Sequence, residues 1–542
     1  MNRMISFFSS PRWRTWGVWV LPVLLLVLAT ARPLAVPDEG RYAEVGRWMW
    51  VTGDWLAPRL DGITFFHKPP LLYWLEAAAM SVLGATPWAA RWVVATHAML
   101  MMALMYVSAR HFAGVEVARR AVWILGSSMT FLIAGQYVNH DMMVATWMGV
   151  AIWCFARTFL HEGAVHAGWA RAGFVACGLG ILSKGLIGLL LPGLVLFVWI
   201  AYTWQWRKIL ALPWVSGLLL LALVALPWFV LAEREHPGML AYMFGKHQFG
   251  RYTATTFNNA RPWWFYGVAV TLLLFPWVFC ALADGLQRLQ RVVRRHAHQT
   301  NGAHAESAPW VALCWIWVLA ILGFFSIPNS KLVGYALPVI PPLAVLAALW
   351  WQRAVASRRW GRATFGVLTT LAVSVAVVAN FYAGDYTLKR SARAVAQALA
   401  CHTESDDVVA VVDDFPYDLL FYAQRQRPIE VIQDWERQKV EAGDNWRREL
   451  LDGAEFDAVA ARALQPPSRV AELRGNSHAW LLAPRWQGSF DARAYDGFVS
   501  VYQDDAWVLY RGVSATASPS AAKSPEAAEH KGLRGCKHQG DK

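Results

Sequence analysis

Over roughly its first 382 residues, the chain gathers its apolar positions into long runs rather than alternating or one-sided patterns. Runs at about 15–31, 88–109, 121–136, 142–160, 172–183, 185–203, 211–231, 263–283, 309–325, 333–350 and 364–382 stand between polar connections. Most approach or exceed the ~20 residues that carry a helix across a bilayer, so the pattern predicts eleven spans. The stretch at 71–84 is apolar but shorter and carries Glu76. It reads either as a further span or as a helix lying in the interface. Past about 383 the pattern changes. Short β-rich runs (Val408–Val412, Pro428–Ile432, Ala479–Ala483, Phe498–Tyr502, Ala506–Arg511) alternate with helical stretches at Ser391–Ala400 and Tyr417–Gln426. This predicts a small soluble α/β domain over 383–512. The Ala/Ser/Lys/Glu-rich segment 513–542 is expected to be a disordered tail.

Composition agrees with a polytopic α-helical membrane protein. The chain is 56% hydrophobic and only 16% charged, where a soluble protein carries about 25% charge. Many of its 32 tryptophans flank the apolar runs, including Trp16, Trp88, Trp204, Trp263, Trp264, Trp350 and Trp351, as in an interfacial aromatic belt. Arg3, Arg12 and Arg14 before the first run resemble the start of a signal peptide, but without a small-residue cleavage site they predict an uncleaved first helix. The net charge of +13 is read as loop charge that orients the helices, not as a nucleic-acid surface, because no reader motif accompanies it. Cys154, Cys177, Cys280 and Cys314 lie in apolar runs and read as packing residues, while Cys401 and Cys536 fall in the polar C-terminal part.

With the N-terminus inside, the connections richest in arginine fall on the cytoplasmic side: Arg110, Arg119 and Arg120; Arg171; Arg207 and Lys208; Arg288, Arg291, Arg294 and Arg295; Arg353, Arg358, Arg359 and Arg362. The loops 32–70 and 232–262 and the C-terminal domain then lie outside. Both loops carry basic residues (Arg32, Arg41, Arg47, Arg59 and Lys68; Arg234, Lys246, Arg251 and Arg261). Long loops translocate largely regardless of charge, but this excess asks for an explanation of its own.

Four polar clusters fall on that outer side: Asp38-Glu39-Gly40-Arg41-Tyr42, His67-Lys68-Pro69-Pro70, Asn139-His140-Asp141, and Ser330-Lys331 with Tyr335. Charges this close to hydrocarbon usually pair or serve a site. Taken one at a time each has a plain reading. Asp38 and Glu39 suit a solvated loop and helix cap, Lys68 and Lys331 suit snorkelling, and Asp141 suits a cap on a helix starting at Met142. Their gathering on one face points instead to chemistry on an anionic substrate. A lipid-phosphate-linked sugar releases an anionic phosphate, which Lys and Arg stabilise. A carboxylate can position or deprotonate the acceptor, or hold a metal. No nucleotide-binding motif occurs, which suits a lipid-carried donor.

The segment PDEGRYAEVGRWMWVTGDWLAPRLDGITFFHKPPLLYWL resembles the N-terminal signature of bacterial family 39 glycosyltransferases of the GT-C type, and within them the aminoarabinose transferases that modify lipid A. FFSIPNSKLVGYALPVIPPLAVL, NHDMM and the SKG at Ser183–Gly185 fit the same family, in order, across about residues 15–350. The resemblance implies a transmembrane catalytic domain over 1–382 with about 11–13 helices, a periplasmic α/β domain, and a polyprenyl (undecaprenyl) phosphate-sugar donor. By motif position, Asp38 matches the family's catalytic carboxylate, with Glu39 beside it, and Asp141 matches a second important aspartate. Lys68, Arg41 and Tyr335 match groups around the donor phosphate, and Lys331 joins them by charge and location. Where relatives commonly carry Glu before Lys-Pro-Pro, this chain has His67. Some relatives bind zinc there with a later histidine that His247 resembles, so His67 and His247 are the expected metal ligands.

These readings converge on an inner-membrane glycosyltransferase moving aminoarabinose or another amino sugar to lipid A phosphate or a related extracytoplasmic acceptor, with inversion. A protein O-glycosyltransferase of the mannosyltransferase kind and a lipid-linked sugar transporter are the alternatives. A transporter would be expected to show internal repeats and midplane polar residues.

Overall fold

The computed structural model describes residues 20–30, 32–250, 259–295, 308–441, 448–485 and 495–513. The expected tail from 514 on, Cys536, Arg251 and the start of the first expected span lie outside them. The chain divides into two compact units. One, the helical unit, holds the described residues up to 30, Lys68–Leu72 and Arg91–Tyr382. The other, the α/β unit, holds Arg32–His67, Tyr73–Ala90 and the described residues from Ala383 on.

The helical unit is a multi-pass membrane bundle. Among the described residues six helices are long and apolar enough to cross a bilayer: Pro87–Ala113, His140–Phe159, Trp214–Glu235, Pro309–Ser326, Val333–Ala354 and Gly361–Leu388. Two bent pairs raise that to eight. Two expected single spans prove to be broken. In the run at 121–136 the chain bends by 56° between Val115–Gly126 and Met129–Gln136. There Ser128 starts a new helix by accepting a hydrogen bond from the Phe131 N–H at 3.3 Å. In the run at 263–283, Phe265–Leu273 and Val278–Arg295 meet at a bend of 119°. Pro276 sits in that break and brings no N–H to a continuous helix. The bend exposes Phe279, Leu282, Leu286 and Leu289 along one face. On the other face buried Asp284 accepts hydrogen bonds from Arg288 at 2.6 Å, Trp315 at 3.2 Å and Arg353. Ala167–Lys184 and Ile187–Thr203 form a tight hairpin. It turns at Gly185, whose φ of 88° suits only glycine, and closes where Gly180 and Gly188 touch backbone to backbone. The hairpin leaves Lys184 at its tip.

The α/β unit contains a two-stranded ribbon, β1 (Arg59–Leu60) and β2 (Ile63–Thr64), and a six-stranded sheet. The sheet strands are β3 (Val408–Val412), β4 (Glu430–Ile432), β5 (Leu464–Gln465), β6 (Ala479–Pro484), β7 (Phe498–Gln503) and β8 (Trp507–Gly512). Their order is β5-β4-β3-β6-β8-β7. β5, β4, β3 and β6 are parallel, with Val411 opposite Val431 and Val409 opposite Trp480, whereas β8 runs antiparallel to β6 and β7. The central strands VVAVV and AWLLAP are buried along nearly their whole length, as expected for parallel strands covered on both faces. The five short runs read from the sequence are all strands here. Arg393–His402 and Leu419–Ala423 are the two helices expected beside them.

The segment 32–67 is built into this unit. Leu34 N–H donates to the Tyr422 hydroxyl at 2.8 Å, Arg47 Nη2 to the Arg425 carbonyl at 2.7 Å, Ile429 N–H to Asp61 Oδ1 at 2.8 Å, and Thr64 Oγ1 to the Gly453 carbonyl at 2.7 Å. The arginines that broke the charge bias of this loop are held by carboxylates. Arg32 pairs with Glu39, Arg41 with Asp38 and Glu449, Arg47 with Glu44, and Arg59 with Asp54 and Asp457.

Candidate functional site

In the α/β unit the motif residues Asp38 to Tyr42 open the helix Asp38–Thr52. Pro37 precedes it, Asp38 and Glu39 place negative charge in its first turn, and Gly53 at φ 71° ends it. Arg41 lies one turn after Asp38, and its Nη2 donates to Asp38 Oδ1 at 2.6 Å and to the Tyr42 hydroxyl at 3.1 Å. Its Nη1 donates to Glu449 Oε2. The guanidinium carbon stands 4.7 Å from the Tyr42 ring centre, 5.9 Å from that of Phe65 and 6.0 Å from that of Tyr417. Burial works against the charge on Arg41. Glu449, Tyr42, Asp38 and Tyr417 outweigh it and hold the guanidinium protonated well above its ordinary range. His67 stacks on Phe65 at 4.8 Å, with Nδ1 3.8 Å from Glu449 Oε1. Asp38 is 41% exposed, while Arg41 is 6% and Glu449 12% exposed. Glu39, its neighbour, is fully buried. It accepts from both terminal nitrogens of Arg32 and from the Ala35 N–H.

The helical unit carries a second carboxylate–cation cluster. Asn139, not Asp141, caps the helix His140–Phe159, its Oδ1 accepting from the Asp141 N–H at 2.9 Å. The Asp141 carboxylate is thereby available to Lys184, whose ammonium it accepts. Asn139 Nδ2 steadies the other oxygen at 3.3 Å. Lys184 Nζ also lies 4.7 Å from the Tyr335 ring centre, and Tyr335 stacks on Phe325 at 4.6 Å. Gly334 makes room for this arrangement: a Cβ there would stand 2.0 Å from Asp141 Oδ2.

Of the residues picked out by sequence, Asp38 and Arg41 meet in one unit, and Asp141 and Tyr335 share a cluster in the other. Lys68 is half-buried just before the helix Leu71–Leu83, in the helical unit. Lys331 is buried, and its Nζ donates to the carbonyls of Pro328 at 2.7 Å and Arg261 at 3.1 Å. His67 falls in the α/β unit, and His247 falls in the helical unit, against Tyr242. Two members had not been singled out. Lys184 had a signal, as the lone cation of a short connection between apolar runs. Glu449 had none, lying in an ordinary polar stretch.

Comparison with known proteins agrees with this architecture. Residues 24–243 match the model of the dolichyl-phosphate-mannose-protein mannosyltransferase family. The structure is similar to the crystal structure of ArnT from Cupriavidus metallidurans bound to undecaprenyl phosphate, with a TM-score of 0.77 at 24% identity over 94% of this chain and 100% of that one. It also resembles the Archaeoglobus fulgidus oligosaccharyltransferase in the apo form, with a TM-score of 0.54 at 14% identity over 88% of this chain and 70% of that one. The fold is of the GT-C type. In sequence the GT-C resemblance extends to curated undecaprenyl phosphate-alpha-4-amino-4-deoxy-L-arabinose arabinosyl transferases. The one from Pseudomonas paraeruginosa is 31% identical over 62% of this chain and 59% of its own length. That from Aeromonas hydrophila is 29% identical over 66% and 65%. The matched region thus spans about three-fifths of the relatives' length, and the chain is similar to aminoarabinose transferases, as its motifs indicate.

Proposed function

We propose that this protein is an integral membrane glycosyltransferase. It transfers 4-amino-4-deoxy-L-arabinose, or another amino sugar, from a polyprenyl-phosphate donor to lipid A phosphate or a related glycolipid at the periplasmic face of the inner membrane. The observation that carries this reading is the Asp38–Arg41 pair, a partly exposed carboxylate against a guanidinium boxed by aromatic rings, on the motif that resembles the aminoarabinose-transferase signature. The acceptor oxygen attacks the anomeric carbon as its bond to the donor phosphate breaks on the opposite face, which inverts the configuration. Asp38 orients the acceptor and, for a hydroxyl acceptor, takes its proton. Arg41 offsets the charge that develops on the departing phosphate. Lys68 and Tyr335 are assigned to the donor phosphate on the motifs alone. Asp141, held by Lys184, is the second carboxylate of the proposal.

A zinc ion on His67 and His247 is a further element of the proposal. Imidazole nitrogen is a donor zinc accepts, and the Asp452 carboxylate, within 4.8 Å of the His67 ring nitrogen in the same unit, is another. Bound zinc would order the backbone that carries His67. Metal analysis of the purified protein tests this, and a zinc content unaffected by replacing either histidine would exclude it.

The purified protein incubated with undecaprenyl-phosphate aminoarabinose and lipid A should release undecaprenyl phosphate and shift the lipid A mass by one aminoarabinose. The match to the mannosyltransferase family model favours one second reading, in which the acceptor is a protein hydroxyl. Sugar transfer to a Ser/Thr peptide with none to lipid A would establish that reading instead. Donor movement across the bilayer without release of undecaprenyl phosphate would establish a transporter.

A further inference from the structure

Three arginine–carboxylate pairs lie within sixteen residues of one another in the α/β unit, and they are not alike. Arg32 grips Glu39 with both terminal nitrogens. Arg47 grips Glu44 with Nε and Nη2, each at 2.7 Å. Both carboxylates are fully buried and held two-legged. Arg41 instead divides its fork, with Nη2 going to Asp38 and Nη1 to Glu449. Its Nε is buried with no hydrogen-bond partner among the described residues. Asp38 is also the most exposed of these carboxylates.

We propose that Glu449, brought from the α/β domain, is a positioning residue for the transfer reaction: it occupies one half of the Arg41 fork and so prevents Arg41 from meeting Asp38 with both terminal nitrogens, the way Arg32 meets Glu39. This rests on the transferase reading above. A carboxylate held by both arms of a guanidinium in a dry site is strongly stabilised as the anion and fixed in plane, and it is a poor group for orienting or deprotonating an acceptor. A carboxylate held by one arm keeps the orientation without that loss. The aromatic rings of Tyr42, Phe65 and Tyr417 surround the guanidinium, and the occupant of Nη1 decides whether both terminal nitrogens can turn to Asp38. The C-terminal domain thereby enters the active site through one side chain, about four hundred residues along the chain from the helix it acts on.

The test is steady-state kinetics of the full-length protein in nanodiscs, with wild type, E449A, E449Q and E449D assayed together on undecaprenyl-phosphate aminoarabinose. E449A and E449Q should lower kcat roughly tenfold to a hundredfold, with KM for the donor moving by less than about threefold. E449D, which restores the charge, should recover most of the loss. A merely structural Glu449 would lower the melting temperature and yield but leave kcat per folded molecule unchanged, and that result overturns the proposal. So does a raised donor KM at unchanged kcat. A wild-type protein inactive on this donor would count against the transferase reading and not against the positioning. That is read separately from a cryo-EM structure of E449A. Arg41 should then meet Asp38 with both terminal nitrogens, and a single-nitrogen contact as in the wild type overturns the proposal.

Discussion

The two units present the same three ingredients, an aspartate, a cation and an aromatic ring, and assemble them in opposite ways. In the helical unit the cluster is one carboxylate to one ammonium. Asp141 and Lys184 sit at the ends of two neighbouring helices, with Tyr335 under the ammonium. In the α/β unit one guanidinium serves two carboxylates, and one of these, Glu449, comes from a distant part of the sequence. The first is a neutral pair fixed by rigid helices. The second carries surplus negative charge around a cation whose charge burial disfavours and its neighbours support. A lysine is a point charge and can satisfy a carboxylate without dictating its plane. An arginine fork can give its two terminal nitrogens to one carboxylate or divide them between two, as Arg41 does. In the proposed reaction the reacting carboxylate is accordingly the one in the α/β unit, and the Asp141 pair has a holding role.

The sharpest way to break that comparison is to remove each carboxylate in turn. Asp38→Asn should reduce transfer by about 10²-fold or more in kcat, measured as undecaprenyl phosphate released by purified protein. Asp141→Asn should cost less. If Asp141→Asn proves the more damaging, the assignment of roles is reversed.

The next effect down concerns how the helical cluster is built. A methyl group at position 334 would occupy the space of Asp141 Oδ2, 2.0 Å away. Gly334→Ala should therefore push Asp141 off Lys184 and lower activity by roughly tenfold to a hundredfold, to about the same level as Lys184→Ala. A fully active Gly334→Ala protein would mean that the carboxylate does not need its present position.

Lys331→Met should act mainly on stability. The Lys331 ammonium is spent on the carbonyls of Pro328 and Arg261, and losing it leaves buried acceptors short of a donor. A cost of about 1–3 kcal/mol is expected, read as a lower melting temperature with donor KM unchanged. A raised donor KM would return Lys331 to the phosphate-binding set.

How much of this could be read beforehand follows the range of the interactions. The strand runs at Val408–Val412 and Ala479–Pro484 carry their burial in local composition. Asp38, Arg41, Asp141 and Tyr335 lie in ordered motifs, so a resemblance could point to them. Glu449 could not be found that way. Nothing near it is unusual, and its meaning comes from a contact with Arg41 408 positions away. Lys184 was visible as a lone cation, but its partner was not, because which helix faces its hairpin is a matter of packing. The run at 263–283 was misread for a simpler reason. Hydropathy counts apolar residues and is blind to the missing N–H of Pro276, where the chain turns by 119°.

The smallest expected effect on transfer comes from how the two units hold a carboxylate out of water. Asp141 has a cation. Asp418, buried in the α/β unit, accepts from neutral donors, among them the Ser391 hydroxyl at 2.6 Å and the Ala392 N–H at 3.2 Å. Burial raises its pKa from an ordinary 3.8 to about 6 against those bonds. Because the folded-state value lies above the unfolded one, the protonated form favours the fold. That contribution is complete below about pH 4 and is lost as pH rises through about 6. The shift corresponds to about 3 kcal/mol. Asp407 and Asp457, both lowered by hydrogen bonds that outweigh burial, act in the opposite sense and below that window. Asp418→Asn keeps an acceptor for Ala392 and cannot ionise. Its melting temperature should match the wild type near pH 4 and exceed it near pH 7.5, with the gap opening between. Parallel melting curves for the two proteins across that range would mean that Asp418 is ionised in the fold, and that the α/β unit holds its buried carboxylate charged without a cation.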